Sequence, residues 1–108
     1  MANEKSRLEF LEDAVRADPN NTFARYGLAM ELKNTGKPED AWSNFEYLLT
    51  HFPDYAATYA QAGMLLADLG RLDEARSVLE KGIEVNGRQG NKHAKEELQA
   101  ALDGLPLP

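Results

Sequence analysis

The sequence has no cysteine. That absence excludes a disulfide framework, a thiolate nucleophile and a cysteine-ligated zinc or iron–sulfur centre, so packing alone must hold the fold. It has no surplus of positive charge either: 12 Lys and Arg stand against 18 Asp and Glu, a formal net charge of −6. Nucleic-acid binding needs a clustered basic footprint that releases counterions, so no nucleic-acid partner is expected. Long apolar runs are missing, and the opening Met-Ala-Asn-Glu-Lys-Ser-Arg is charged and leads straight into an amphipathic segment without an apolar signal core. The expectation is a cytoplasmic protein without a membrane segment. At 108 residues the chain has room for one domain, 1–108, and none for a separate substrate-binding domain.

What the sequence does have is a period. Residues 22–55 and 56–89 align at an offset of 34, with identities at Met30, Leu32, Gly36, Ala41, Ser43 and Glu46. Type matches add to these: Ala29 falls on Gly63, Phe45 on Leu79 and Leu49 on Ile83. Each unit also carries the same turn, Gly, basic, any residue, acidic, acidic, Ala, at 36–41 and 70–75. Within a unit the apolar residues keep helical spacing, as Leu28 and Leu32 or Tyr59, Ala62, Leu66 and Leu69, until Gly36 or Gly70 supplies a left-handed stop. A second helix then starts, with Pro38 tolerated in its first turn and Glu39-Asp40 or Asp73-Glu74 facing the positive end of the helix dipole. These second helices are predicted over 38–51 and 72–85, ended by Pro53 and by Asn86-Gly87. Small residues at Ala29, Gly63, Ala41 and Ala75 allow the paired helices to cross closely.

The two ends differ from the middle. Residues 5–19 read as the second-helix half of a further repeat, with the stripe Leu8, Leu11, Ala14 and Val15 and the stop Asp18-Pro19-Asn20-Asn21. Residues 91–103 read as a polar capping helix that buries Ala94, Leu98, Ala101 and Leu102, which a terminal repeat needs for solubility. A frayed tail is expected at 104–108. The fold class is therefore all-α, about six helices arranged as antiparallel hairpins.

A 34-residue helix–turn–helix unit with small residues at its eighth and twentieth positions (Ala29, Gly63; Ala41, Ala75), a large apolar residue at the twenty-fourth (Phe45, Leu79) and Pro at the thirty-second (Pro19, Pro53) resembles the tetratricopeptide repeat. The resemblance covers residues 5–103 and implies an α-solenoid, a fragment of a right-handed superhelix, whose first helices line a concave, partner-binding side. The fourth position departs from the pattern. It is usually aromatic but is Arg25 in the first unit, which implies a weaker core there; Tyr59 in the second keeps the pattern. The resemblance also implies a test for the clamp by which one subset of the family holds the C-terminal carboxylate of heat-shock chaperones. The clamp's Lys and two Asn positions are here Tyr26, Met30 and Gln61, so that clamp is absent.

On a helical wheel centred on Leu32 and Leu66, the opposite face holds Phe23, Tyr26, Met30 and Asn34 on one helix and Ala57, Ala60, Gln61, Met64 and Asp68 on the other, with Lys33 beside them. Phe23, Tyr26 and Met30 follow i, i+3, i+7 and form a ridge; the small Ala57 and Ala60 beside Met64 form a trough. Flexible Met and amphipathic Tyr suit adaptable binding. Three readings stay open for this ridge: burial under residues 5–19, capture of a partner helix or peptide, and self-association. Trp42 is expected half exposed, either packed on the half repeat or marking a second contact surface.

Catalytic chemistry finds no support. His51 and His93 lie far apart, and His93 with Glu97 is the only helical pair available to a metal, so no metal or cofactor is expected. Adjacent carboxylates such as Asp73-Glu74 point about 100° apart on a helix, which suits a dipole complement better than acid–base work. Ser6, Ser43 and Ser77 lack a nucleophile elbow. The expected function is a non-catalytic scaffold that binds a peptide or helix of a partner protein on the concave face. The alternatives are a self-assembling structural module, hence a possible homo-oligomer, and a regulatory subunit of a separate enzyme.

Overall fold

The structure is a computed structural model that describes residues 5–107. Pro108, the last residue of the tail expected at 104–108, lies outside the described residues, as do Met1 to Glu4. Among the described residues there are six helices and no strand: α1 (Arg7–Ala17), α2 (Thr22–Asn34), α3 (Pro38–His51), α4 (Thr58–Asp68), α5 (Leu72–Arg88) and α6 (Lys92–Asp103). They divide between Phe52 and Pro53 into two compact units, α1–α3 and α4–α6.

Local chemistry explains the helix ends. Ser6 and Glu9 form a reciprocal capping box at α1, where the Glu9 N–H donates to Ser6 Oγ at 3.1 Å. Asn21 ends one segment and starts the next, since its side-chain oxygen accepts from the Ala24 N–H at 3.0 Å and caps α2. Three helices close through the same glycine turn. Gly36, Gly70 and Gly90 have φ of 79°, 77° and 78°, the left-handed region that glycine enters without steric cost. The residue after each donates its N–H five positions back: Lys37 to Leu32 O at 2.9 Å, Arg71 to Leu66 O at 2.9 Å and Asn91 to Asn86 O at 2.8 Å.

The third of these turns corrects a predicted boundary. Asn86-Gly87 was expected to stop α5, but the helix continues to Arg88. Asn86 is buried and turns its amide inward, donating to Gly82 O at 2.9 Å, so its side chain satisfies the helix instead of ending it. The stop passes to Gly90, which has the required φ.

In the first unit, α2 packs on α3 and α1 packs on α2. α1 approaches at Gly27, where an added Cβ would lie 3.2 Å from Leu11 Cδ2. The core of α3 consists of Ala41, Trp42, Phe45 and Leu48. Trp42 is only 8% exposed, contrary to the half-exposed position expected for it. It precedes Phe45 by three residues and so stands about 60° from it on the helical wheel, inside a buried arc wider than a single stripe. In the second unit α5 packs against both α4 and α6, and the α4–α5 crossing is close enough to require glycine. A Cβ on Gly63 would stand 2.5 Å from Leu79 Cδ2, and one on Gly82 would stand 2.5 Å from Tyr59 Cβ. The tail is tied back by Arg76, whose guanidinium donates to Pro106 O at 2.9 Å.

Candidate functional site

The predicted ridge on α2 is built from residues with different surroundings. Phe23 is 80% exposed, so α1 does not cover it. Tyr26 is half-buried, with its ring edge-on to the fully buried Phe45 at a centroid distance of 6.1 Å. The wheel accounts for the difference: Phe23 stands about 180° from Leu32, while Tyr26 stands about 120° away, on the flank within reach of α3. Met30 and Lys33 are half-buried, and Asn34 is exposed. On α4, Ala57 is the exposed N-cap residue, Ala60 and Gln61 are half-buried, Met64 is 38% exposed and Asp68 is exposed. Ala57, Gln61, Met64 and Asp68 follow i, i+4, i+7, i+11 and share one side of that helix. Each helix thus carries one large apolar group toward solvent, Phe23 on α2 and Met64 on α4.

Arg25, expected to weaken the core, instead organises it. Its guanidinium carbon lies 3.7 Å from the centroid of the Tyr47 ring, a cation–π stack. Nη1 donates to Asn44 Oδ1 at 3.1 Å and Nη2 to Pro19 O at 3.3 Å. Tyr47 in turn lies against His51, with ring centroids 4.3 Å apart. Tyr59, 34 positions after Arg25, donates its hydroxyl to Pro53 O at 2.5 Å, and Pro53 lies 34 positions after Pro19. Burial pushes the Tyr59 hydroxyl above its ordinary pKa, and the negative charges of Asp54 and Glu84 add to the rise against an opposing Arg88.

The groups considered for other chemistry have plain surroundings. Glu74 receives two bonds from Arg71, Nε at 2.8 Å and Nη2 at 2.7 Å, and these hold its carboxyl below the usual carboxylate range. His93 Nε2 lies 3.2 Å from Glu97 Oε1 on the exposed side of α6. Among the described residues no three His, Asp or Glu side chains gather as a metal site, and no helix is long and apolar enough to cross a membrane. A recess of about 260 Å³ beside Gly87, Gly90, Lys92 and Lys95 contains no buried polar side chain.

One exposed aromatic residue lies outside the predicted set. Phe10 on α1 is 66% exposed. The apolar stripe of α1 does not include it, but the 34-residue offset does supply a signal: Phe10 falls on Asn44, a residue that reaches across to α2.

Comparison with known proteins agrees with this architecture. A solution NMR structure of a tetratricopeptide repeat domain protein from Salinibacter ruber is 38% identical with a TM-score of 0.74, covering 79% of this chain and 86% of that one. A crystal structure of a tetratricopeptide repeat domain protein from the same organism is 36% identical with a TM-score of 0.75, covering 80% of this chain and all of that one. The Dictyostelium discoideum protein named Protein STIP1 homolog is 27% identical over 104 residues, 95% of this chain. Mouse DnaJ homolog subfamily C member 3 is 33% identical over 89 residues, 82% of this chain. The chain spans 18% of the length of each of these two relatives. The family profile described as tetratricopeptide repeat matches residues 32–102, well over half of the sequence, and the chain belongs to the tetratricopeptide repeat family.

Proposed function

We propose that this chain is a non-catalytic protein-interaction scaffold that holds a peptide or helix of a partner protein on the solvent side of the first helix of a hairpin, α2 in one unit and α4 in the other. Repeats of this family mediate binding between proteins. The observation that carries the finer reading is Phe23, a large apolar side chain left 80% exposed on α2 although α1 packs on that helix. An exposed aromatic gains the most from being covered, and buried aromatic anchors dominate interface energetics. Met64 offers a second, adaptable apolar contact on α4. The absence of the carboxylate clamp points to apolar recognition in place of an acidic tail.

The test is a pull-down from the native host with the chain and with its Phe23→Ser/Met64→Ser double variant. Loss of the captured partner with an unchanged melting temperature is expected. Undiminished capture by the double variant sinks the assignment of this face. Tyr26 is a poorer probe, because its ring packs on Phe45 and its removal disturbs the core.

A further inference from the structure

We infer that Asn86 is a covalent modification site. When the last turn of α5 opens, the Gly87 nitrogen closes onto the Asn86 side chain, and the aspartate or isoaspartate that results frees α6 from α5. This inference does not rest on the binding face read for α2 and α4.

Asn86-Gly87 is the one Asn-Gly pair in the sequence. The first unit has no counterpart, since Phe52-Pro53 stands at the matching positions. Glycine has no Cβ to shield its nitrogen, so this pair is the least hindered for attack on the preceding side-chain amide. The reaction is intramolecular and needs water as its only co-reactant. The Gly87 nitrogen gives up its proton and bonds to Cγ of Asn86; the Cγ–Nδ2 bond breaks, and Nδ2 leaves as ammonia with that proton. Water then adds to one carbonyl of the cyclic imide. Cleavage at Cγ leaves aspartate, and cleavage at the backbone carbonyl leaves isoaspartate, in which the chain runs through the side chain.

The closed turn blocks the first step. Asn86 is buried, its Nδ2 donates to Gly82 O at 2.9 Å, and its Oδ1 accepts from Asn91 Nδ2 at 3.2 Å. Gly87 lies within α5, where its N–H is committed to the helix ladder. The lock is nevertheless made of weak parts. Gly87 is a poor helix former, and beyond Asn86 the turn is held by exposed groups, Arg88 to Asp54 Oδ1 at 3.1 Å and Gln89 Nε2 to Asp54 O at 2.7 Å. Solvent reaches the reacting bond, because Gly87 is exposed and borders the recess of about 260 Å³ beside Gly90, Lys92 and Lys95. Such a turn opens at a lower free energy than the whole chain unfolds.

The product does not fit the closed turn. Nδ2 is the donor to Gly82 O, and a carboxylate oxygen in its place faces that carbonyl with no proton to share. It also brings a charge into a buried place. Isoaspartate in addition takes the Asn86 carbonyl out of the main chain, although that carbonyl receives the Asn91 N–H at 2.8 Å and closes the turn into α6. α6 leans on the same spot: the buried Leu98 would lie 3.2 Å from a Cβ on Gly82. Loss of the turn therefore loosens α6 and bares Leu98.

For the test, the full chain is held in mildly alkaline buffer made with water enriched in heavy oxygen, and its peptides are mapped by mass spectrometry. Label is expected at residue 86, as both aspartate and isoaspartate. An unlabelled residue 86, under conditions that label a peptide of residues 83–90, overturns the proposal. Gly90→Ala puts a side chain into the left-handed turn with nothing to clash against, so it should speed labelling about tenfold through backbone strain alone. Gly36→Ala imposes the same strain on the α2–α3 turn and should leave the rate at residue 86 unchanged; equal acceleration by both means that the whole chain must unfold first, and the gate fails. Hydrogen exchange in the aged protein should be faster in α6 for the modified fraction than for the unmodified one, with α2 and α3 unaltered. Asn86→Asp reproduces the aspartate form by itself; where that variant does not fold, the aged wild type still decides. Equal protection of α6 in modified and unmodified protein overturns the release.

Discussion

The two hairpins share one skeleton and solve one position in opposite ways. In both, the residue at the fourth position of the 34-residue unit reaches back to the carbonyl of a proline six positions earlier, Arg25 to Pro19 and Tyr59 to Pro53. The second hairpin fills the space beneath with the tyrosine ring and leaves a glycine, Gly82, where that ring sits. The first spreads a guanidinium over Tyr47 and keeps Leu48 at the place of Gly82. What the fold demands here is a flat group with a donor at its tip and a fixed total volume; which residue brings the volume is free. A residue that departs from a family pattern is therefore no measure of lost stability until its partners across the hairpin are known.

Four changes test that equivalence, the largest expected effect first. Gly82→Leu, which gives the second hairpin the residue of the first, should cost about 3 kcal/mol, because the new side chain meets Tyr59 where even a Cβ stands 2.5 Å away. Adding Tyr59→Arg should recover much of the loss in a double-mutant cycle; strict additivity by chemical denaturation would dissolve the comparison. Arg25→Ala should cost about 1–2 kcal/mol, the sum of a cation–π stack and two hydrogen bonds that are partly exposed. Arg25→Tyr should fail to restore that stability while Leu48 remains, and urea unfolding of the pair decides it.

The smallest effect is specific to the second hairpin. Tyr59→Phe should cost about 1 kcal/mol through the lost bond to Pro53. The hydroxyl's pKa is raised in the folded state, so its contribution is fully present below the unfolded tyrosine value near 10 and falls away as pH rises from there through the folded value. Amide exchange in α4 and α5 should therefore speed up above about pH 10 more than in α2 and α3, and Tyr59→Phe should remove that difference.

Much of this was legible beforehand. The period, the glycine stops at Gly36 and Gly70, the stripes of α3 and α5 and the small residues at the crossings all depend on neighbours in the chain or on a spacing that repeats. The misjudged residues each depend on a contact across the hairpin or on a side-chain direction. Trp42 reads as half exposed because it directly follows the small Ala41 of the stripe, whereas the buried arc is wide enough to take it in. Asn86 reads as a stop because the residue type permits one, whereas its amide bonds inward to Gly82 O. Arg25 reads as a flaw because Tyr47 and Asn44, which receive its guanidinium, lie on the following helix.

The candidate sites divide in the same way. The wheel puts Phe23 opposite Leu32 and leaves open whether residues 5–19 cover it; the structure leaves the ring 80% exposed. Tyr26, three residues on, could not be sorted by the wheel, because a flank position is core or surface according to what the facing helix presents, and here that is Phe45. The sequence by itself determined the six helices, their pairing into hairpins and the family, since local propensity and a 34-residue period need no tertiary knowledge. Only the tertiary structure decided which apolar residues remain in water, because burial belongs to pairs of surfaces and a single strand of text carries one surface at a time.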